Sequence, residues 1–322
     1  MRPRRSGGAA AREGCVRSPL DPEPRQGVSA RGNGQPAGCS MSAAPLCPQS
    51  EADLAEIVAG AEGPLQVIGG GTRPVGAVAG TPLSTRALTG ISLYEPGALT
   101  LVVAAGTPLA EVEATLAAEG QRLAFEPPDW RRLLGTEGTP TIGAVAAANL
   151  SGPRRVQAGA CRDALLGVRV VDGRGTIIRN GGRVMKNVTG YDLVRLMAGS
   201  RGTLGILTEV ALKVLPAPET EATLTLYGLD EARAQKAMAR ALGTPFEVSG
   251  AAHLPGHGTA LRLEGFGEQV AYRAAQLARA LAPFGQAHVE EDAAASAALW
   301  AAIRDVAGFA DRPGDVWRIS VK

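Results

Sequence analysis

Apolar residues along this chain fall into short runs and helical stripes, punctuated by glycine and proline. The first pattern begins at Ser50-Glu51-Ala52-Asp53, where a capping residue precedes Leu54, Ile57 and Val58 at helical spacing and predicts a helix start. Leu65–Ile68 and Leu99–Ala104 are apolar runs of strand length, and Leu109–Ala118 has the period of a helix. Residues 164–171 and 175–179 read as a hairpin about Asp172-Gly173, a dipeptide suited to tight turns. Ile206–Leu215 is a predicted strand closed by Pro216 and Pro218, which mark a domain boundary. Beyond Thr220 the pattern alternates between strands (222–227, 246–253, 259–264, 286–289, 315–321) and helices (230–242, 268–282, 293–306). That order predicts a smaller α+β domain of ferredoxin-like type over residues 220–322. The chain ends inside its last predicted strand, so this domain is expected to be truncated.

Residues 1–40 show no such pattern. Rich in Arg, Gly, Pro and Ser, they have the composition of a segment that cannot offset its ordering entropy, and disorder is expected. Met41 offers an alternative start of translation. Three acidic residues and several prolines count against a transit peptide.

Charge and cysteine content exclude several functions. The net charge is +2, but residues 1–40 hold seven arginines against Glu13, Asp21 and Glu23, so the body is near neutral and presents no basic surface for nucleic acid. Cys15, Cys39, Cys47 and Cys161 form no CxxC pair and have no histidine at ligand spacing, which points to a reducing compartment and no metal or iron–sulfur centre. No apolar run reaches the roughly 18–20 residues of a membrane helix. Glycine is the anomaly: 42 residues of 322, nearly twice the usual share.

Nine of these glycines sit in three segments. Gly69-Gly70-Gly71-Thr72-Arg73 follows an apolar strand, and its glycines allow successive amides to point at an anion. It matches neither the Rossmann fingerprint, since position 74 is Pro, nor a P-loop, since Ala77 stands where Lys is required. A glycine-rich surface turn would have the same composition. The second segment, Thr139 to Gly152, is small and nearly uncharged, which suits close approach of main chain to a flat ring system or, equally, a packed Ala/Gly helix. Asn149 and Ser151 favour a ligand, because buried polar groups need partners. The third comprises Val184-Met-Lys-Asn-Val-Thr-Gly-Tyr-Asp-Leu193 and Gly199-Ser-Arg-Gly-Thr-Leu-Gly-Ile-Leu-Thr-Glu-Val210.

In this order the segments resemble the vanillyl-alcohol-oxidase/p-cresol methylhydroxylase type of FAD-binding family, shared with D-lactate and glycolate dehydrogenases. Within it the resemblance is to the FAD-binding subunits of bacterial glycolate oxidases (glycolate dehydrogenases), over residues of about 50 to 322. It implies an α+β architecture, with a two-lobed FAD-binding domain over residues 50–218 ahead of the smaller domain. By position it assigns the diphosphate to Gly69, Gly70, Gly71 and Thr72. It assigns the isoalloxazine and its phosphate side to Ile142, Gly143, Asn149, Ser151 and Gly152. Asp163 and Gly167 match an Asp-x-x-x-Gly element beside the cofactor, and Gly205 with Ile206 matches the strand whose backbone meets it. Asp163 would serve equally as a helix or turn cap, and Lys186, Tyr191 and Asp192 read as structural. His253, His257 and His288 lie outside the flavin domain, so FAD is expected to be non-covalent.

The resemblance further implies oxidation of a small 2-hydroxy acid, a catalytic FAD subunit and an iron–sulfur subunit as partners, and a cytoplasmic location with any inner-membrane attachment made through those partners. Such chemistry needs a base and a cation for the substrate carboxylate. No base stands out. Arg318, beside Trp317 in the predicted final strand, is the one candidate catalytic residue, and an exposed strand arginine fits it as well. Three readings stay open: a redox subunit of a glycolate dehydrogenase complex, a stand-alone flavoenzyme acting on another hydroxy acid or an enolpyruvyl sugar, and a scaffold that kept the fold and lost FAD.

Overall fold

The structure is a computed structural model that describes residues 44–74, 79–183 and 190–320. The expectation of disorder over residues 1–40 and the reading of Lys186 lie outside the described residues. Ser50 accepts a hydrogen bond from the Asp53 amide and starts the helix Glu51–Ala59. This helix buries Leu54 and Val58 against β1 (Leu65–Ile68) and β2 (Thr81–Ser84), which pair in parallel.

A second, larger sheet follows. It is built from β3 (Ile91–Glu95), β4 (Thr100–Ala104), β5 (Gln121–Leu123), β6 (Leu165–Val171), β7 (Ile177–Gly181) and β8 (Ile206–Pro216). The order is β3-β4-β8-β6-β7, all antiparallel, with β5 pairing the distal end of β8. The 11-residue β8 is central and buried along most of its length, so its apolar run is nearly continuous rather than alternating. β6 and β7 form the hairpin expected around Asp172, whose Oδ1 accepts from the amides of Arg174 and Thr176. Helices Leu109–Ala118 and Ile142–Ala147 cover one face, where Val112, Leu116, Ile142 and Val145 meet Leu101, Val103, Val210 and Leu212 in the main core.

The remaining strands are β9 (Thr220–Leu226), β10 (Gly250–Leu254), β11 (Gly258–Gly265) and β12 (Ala287–Glu290), in the antiparallel order β10-β11-β9-β12. Helices Glu231–Leu242 and Gly267–Leu281 join them and pack on the face carrying Ala222, Leu224, Leu261 and Leu263. The opposite face presents Thr223, Arg262 and Glu264, all buried. Helix Ala293–Arg304 closes part of that face with Trp300, whose Nε1 donates to Thr223 Oγ1 at 2.8 Å.

Three strands, β2, β3 and β5, carry too short or too broken an apolar pattern to be read from the sequence. The predicted final strand over 315–321 is corrected: residues 315–320 hold a single bridge position at Val316 and are otherwise extended coil. Trp317 and Ile319 alternate as strand residues should, yet are 58% and 79% exposed, because no described sheet edge or core receives them.

Candidate functional site

The glycine loop leaves β1 and runs directly against the second glycine-rich segment. A Cβ at Gly69 would lie 2.8 Å from Ala144 Cβ and 2.9 Å from Thr141 Oγ1, and one at Gly70 would lie 1.7 Å from the Thr139 carbonyl oxygen. No side chain fits either place. The loop is held from below by Arg86, whose Nη2 and Nε donate to the carbonyls of Gly70 (2.7 Å) and Gly69 (3.3 Å). Thr136 Oγ1 donates to the Thr72 carbonyl at 2.9 Å. None of the five successive N–H groups from Gly69 to Arg73 donates to a partner among the described residues. Successive free amides in a glycine turn make an anion-receiving concavity.

The helix Ile142–Ala147 contributes packing rather than donors: Ile142 N and Gly143 N already donate to the carbonyls of Thr107 (3.1 Å) and Ala105 (2.8 Å). A Cβ at Gly143 would meet Ala105 Cβ at 2.5 Å, so glycine here lets the helix seat against the turn after β4. The hydroxyl of Thr141, one residue earlier, is buried and unpartnered, as is that of Ser200. The loop following Met197 closes the other side, with Gly199 N and Arg201 N donating to the carbonyls of Ala146 (3.3 Å) and Ala147 (2.9 Å).

Arg73 leaves the loop and stacks on Trp130, 4.0 Å from the ring centroid, while its buried Nη1 has no acceptor among the described residues. Arg318 approaches the same ring at 5.5 Å. Burial, then the charges of Arg201 and Arg318, pull the Arg73 guanidinium down to about 10. Like charges brought together around buried, unsatisfied donors mark a place prepared for an anion.

The remaining predicted residues divide among other positions. Asn149, at φ +48°, accepts through Oδ1 from Arg162 N (3.0 Å), Ser151 Oγ accepts from Cys161 N (2.9 Å), and Asp163 Oδ2 accepts from Ala160 N (2.8 Å). These three side chains thus brace the short helix Cys161–Ala164. Gly152 lets the chain pass Glu126, whose carbonyl oxygen would be 2.4 Å from a Cβ. Gly205 and Ile206 line a cavity of about 250 Å³ shared with Val67 and Val171. Gly167 lines a separate cavity of about 410 Å³ with Arg169 and Arg179, on the open side of the larger sheet. Arg318 is exposed and in coil, so its predicted place in a strand is wrong, although it does reach the arginine cluster. Asp192 caps the helix Leu193–Met197, and Tyr191 is 87% exposed.

Sequence reasoning missed Arg73, Trp130, Thr141 and Arg201 as site residues. Arg73 and Arg201 each follow a glycine motif directly, which is a usable signal; Trp130 has none. Also unforeseen is a buried ionic cluster joining the two sheets. Glu264 Oε1 accepts from Arg122 Nη1 (2.6 Å) and from Arg154 Nη2, while Arg262 makes a two-pronged contact with Glu126 (2.8 and 2.9 Å). Arg154 also donates its backbone amide to Glu126 Oε2 at 2.8 Å, which ties the Asn149–Arg154 stretch to the carboxylate that Arg262 of β11 holds. No group of three or more potential metal ligands occurs among the described residues. His253 instead bonds Thr259 on the neighbouring strand (2.9 Å).

A family model described as "FAD binding domain" matches residues 42–181, which hold the glycine loop, Trp130 and the Thr139–Gly152 segment. Those residues belong to the FAD binding domain family. Glycolate oxidase subunit GlcE of Escherichia coli (strain K12) is 39% identical over 246 residues, 76% of this chain and 64% of that protein. Glycolate oxidase subunit GlcD of Bacillus subtilis (strain 168) is 49% identical over 96 residues, 30% of this chain and 20% of its own length. D-lactate dehydrogenase of Anaerostipes hadrus is 42% identical over 109 residues, 34% of this chain and 22% of its own. The chain thus spans less than two thirds of the length of these curated relatives. Two solved structures of alkyldihydroxyacetonephosphate synthase share the fold, with TM-scores of 0.63 and 0.60 at 18% and 16% identity. They cover 82% of this chain and 55% and 56% of theirs. No described helix is long and apolar enough to cross a membrane.

The residues present fit FAD. Among the described residues a row of amides without partners suits a diphosphate, two buried hydroxyls lack partners, and the glycine positions admit main chain where a Cβ would clash. Cys161 is buried, with burial and then Asp163 pushing its thiol up, which makes it inert toward a covalent flavin link.

Proposed function

We propose that this chain is the FAD-binding subunit of a glycolate dehydrogenase (oxidase) complex, in which glycolate is oxidised to glyoxylate and electrons pass to an iron–sulfur partner. The observation that carries the reading is the run of amides from Gly69 to Arg73 that, with Thr141 Oγ1 and Arg73 Nη1, have no hydrogen-bond partner among the described residues. These groups would hold the cofactor diphosphate without any rearrangement of the fold. Bound FAD supplies a two-electron acceptor for the α-hydrogen of a hydroxy acid. The likeness to glycolate oxidase subunits favours glycolate over other hydroxy acids.

The surroundings favour a supporting or relay role over independent turnover. Proton abstraction needs a free base. Three carboxylates around Trp130 are committed: Asp129 to Arg131 at 2.6 Å, Asp305 to Arg304 at 2.8 Å and Asp311 to Arg132 at 2.8 Å, while Glu113, beside Asp129 and Asp305, has its carboxyl pushed up by burial and no ion pair among the described residues. Glu126 and Glu264 are held in the ionic cluster. The histidines sit on or beside the β9–β12 sheet.

The test is the visible spectrum of the full chain, purified alone and with its companion subunits. The reading expects a yellow protein whose flavin absorbance is bleached by glycolate only after the companions are added. Colourless protein that takes up no added FAD would overturn it. Bleaching by glycolate in the isolated chain would make it a stand-alone flavoenzyme.

A further inference from the structure

The polypeptide after helix Ala293–Arg304 does not return to the second sheet. It turns back across the flavin domain. Asp305 Oδ1 accepts from Asp129 N at 2.9 Å, the Arg304 carbonyl accepts from Trp130 Nε1 at 3.3 Å, and Asp311 pairs with Arg132. Its course depends on three left-handed residues, Val306 (φ +50°), Asp311 (φ +62°) and Gly314 (φ +109°). For a β-branched valine that conformation is a strained one, tolerated only where surrounding contacts hold it. Towards its far end the segment holds one bridge position, at Val316, and the Arg132–Asp311 pair is mostly exposed. Yet this end delivers Arg318 to the ring that Arg73 already covers.

Two guanidinium groups on one indole, with a third close by, repel each other. Asp129, Asp305 and Asp311 are each taken by a different arginine, as described above, burial pushes the carboxyl of Glu113, beside Asp129 and Asp305, up, and no ion pair among the described residues involves Arg73, Arg201 or Arg318. What the arrangement lacks is negative charge. Guanidinium groups receive phosphate and carboxylate oxygens in pairs, and several converging on one point are far better satisfied by an anion than by water.

We infer that Arg73 and Arg318, over Trp130, form with the neighbouring Arg201 an oxyanion site shared by the two halves of the molecule, and that filling it fastens residues 305–320 as a strap against the flavin domain. An anion there cancels the repulsion that loosens Arg318, so ligand binding and strap docking stabilise each other. The ligand chemistry is a phosphate or carboxylate oxyanion, supplied either by the FAD diphosphate or by a small carboxylic acid. The inference requires the FAD-binding fold and is independent of which acid is oxidised.

The experiment is amide hydrogen exchange over residues 311–318 of the full chain. It is run on the FAD-free protein with and without inorganic pyrophosphate, and on the FAD-loaded protein with and without oxalate. Saturating anion is expected to slow exchange there about tenfold. Arg318→Gln and Arg73→Gln should each abolish the effect, while Arg312→Gln, an exposed residue of the same segment, should keep it. Protection by FAD or pyrophosphate identifies the cofactor diphosphate as occupant; protection by oxalate only after FAD loading identifies a carboxylate. Exchange unchanged by every anion, or protection that survives both arginine substitutions, would overturn the inference. Failure of the wild-type chain to bind FAD, with pyrophosphate still protecting the strap, would count against the flavin reading and leave this one standing.

Discussion

Glu264→Gln removes one negative charge from the cluster that joins the two sheets while keeping nearly the same shape. In the native protein Glu264 is buried with 4% of its side chain exposed, and Arg154, its partner, is buried to 3%. Burial alone would raise the Glu264 carboxyl, but Arg262, Arg154 and Arg122 outweigh it and hold the group at about 2, against an ordinary 4.5. That depression corresponds to about 3 kcal/mol of stabilisation. Breaking a buried pair by neutralising one partner independently gives about 3–5 kcal/mol, because the other charge is left buried. Arg154 is the residue most harmed: burial already pulls its guanidinium down despite Glu264 and Glu126, and Glu126 lies 3.7 Å from its Nη2. At about 2–4 °C per kcal/mol for chains near this size, the melting midpoint at pH 7 should fall by roughly 6–12 °C. Calorimetry or circular dichroism on the purified variant reads this directly. The pH dependence supplies a second check with a fixed sign. Since the folded carboxyl lies below its unfolded value, its contribution is complete above about 4.5 and disappears as pH falls toward 2. The difference between wild type and variant should therefore shrink on acidification. A midpoint within about 2 °C of wild type at pH 7, or a difference that grows below pH 4, would refute the assignment of the cluster as an energetic joint.

Other consequences follow from the loop and the core. Gly70→Ala places a Cβ 1.7 Å from the Thr139 carbonyl oxygen and must push the glycine loop off the second segment. The purified variant should retain its far-ultraviolet dichroism but carry under about a tenth of the wild-type flavin per chain, a deficit of at least ~1.4 kcal/mol in cofactor affinity. Cys161, fully buried with its thiol pushed up, should escape iodoacetamide at pH 8 in the folded protein while exposed Cys47 is labelled, and peptide mapping should show Cys161 modified only in denaturant.

Local chemistry was legible before any coordinates. The Ser50 cap, the turn at Asp172-Gly173, the helix Leu109–Ala118 and the strand Leu65–Ile68 follow from residues within a few positions of one another, so propensity and periodicity suffice. The glycine loop and the Thr139–Gly152 segment were visible too, because only glycine and alanine permit backbone to approach that closely. Their contact with each other was not visible as geometry. The cross-sheet cluster pairs residues 110 and 142 positions apart, and the Trp130 site gathers arginines from three distant segments. Charges that meet only after folding leave no period in the sequence, and an arginine destined for burial reads like one on the surface. The misplaced final strand has the same cause. Alternation at Trp317 and Ile319 states what a strand would look like, but whether one forms depends on a neighbouring edge with free hydrogen-bonding groups, and that is decided by the tertiary structure alone.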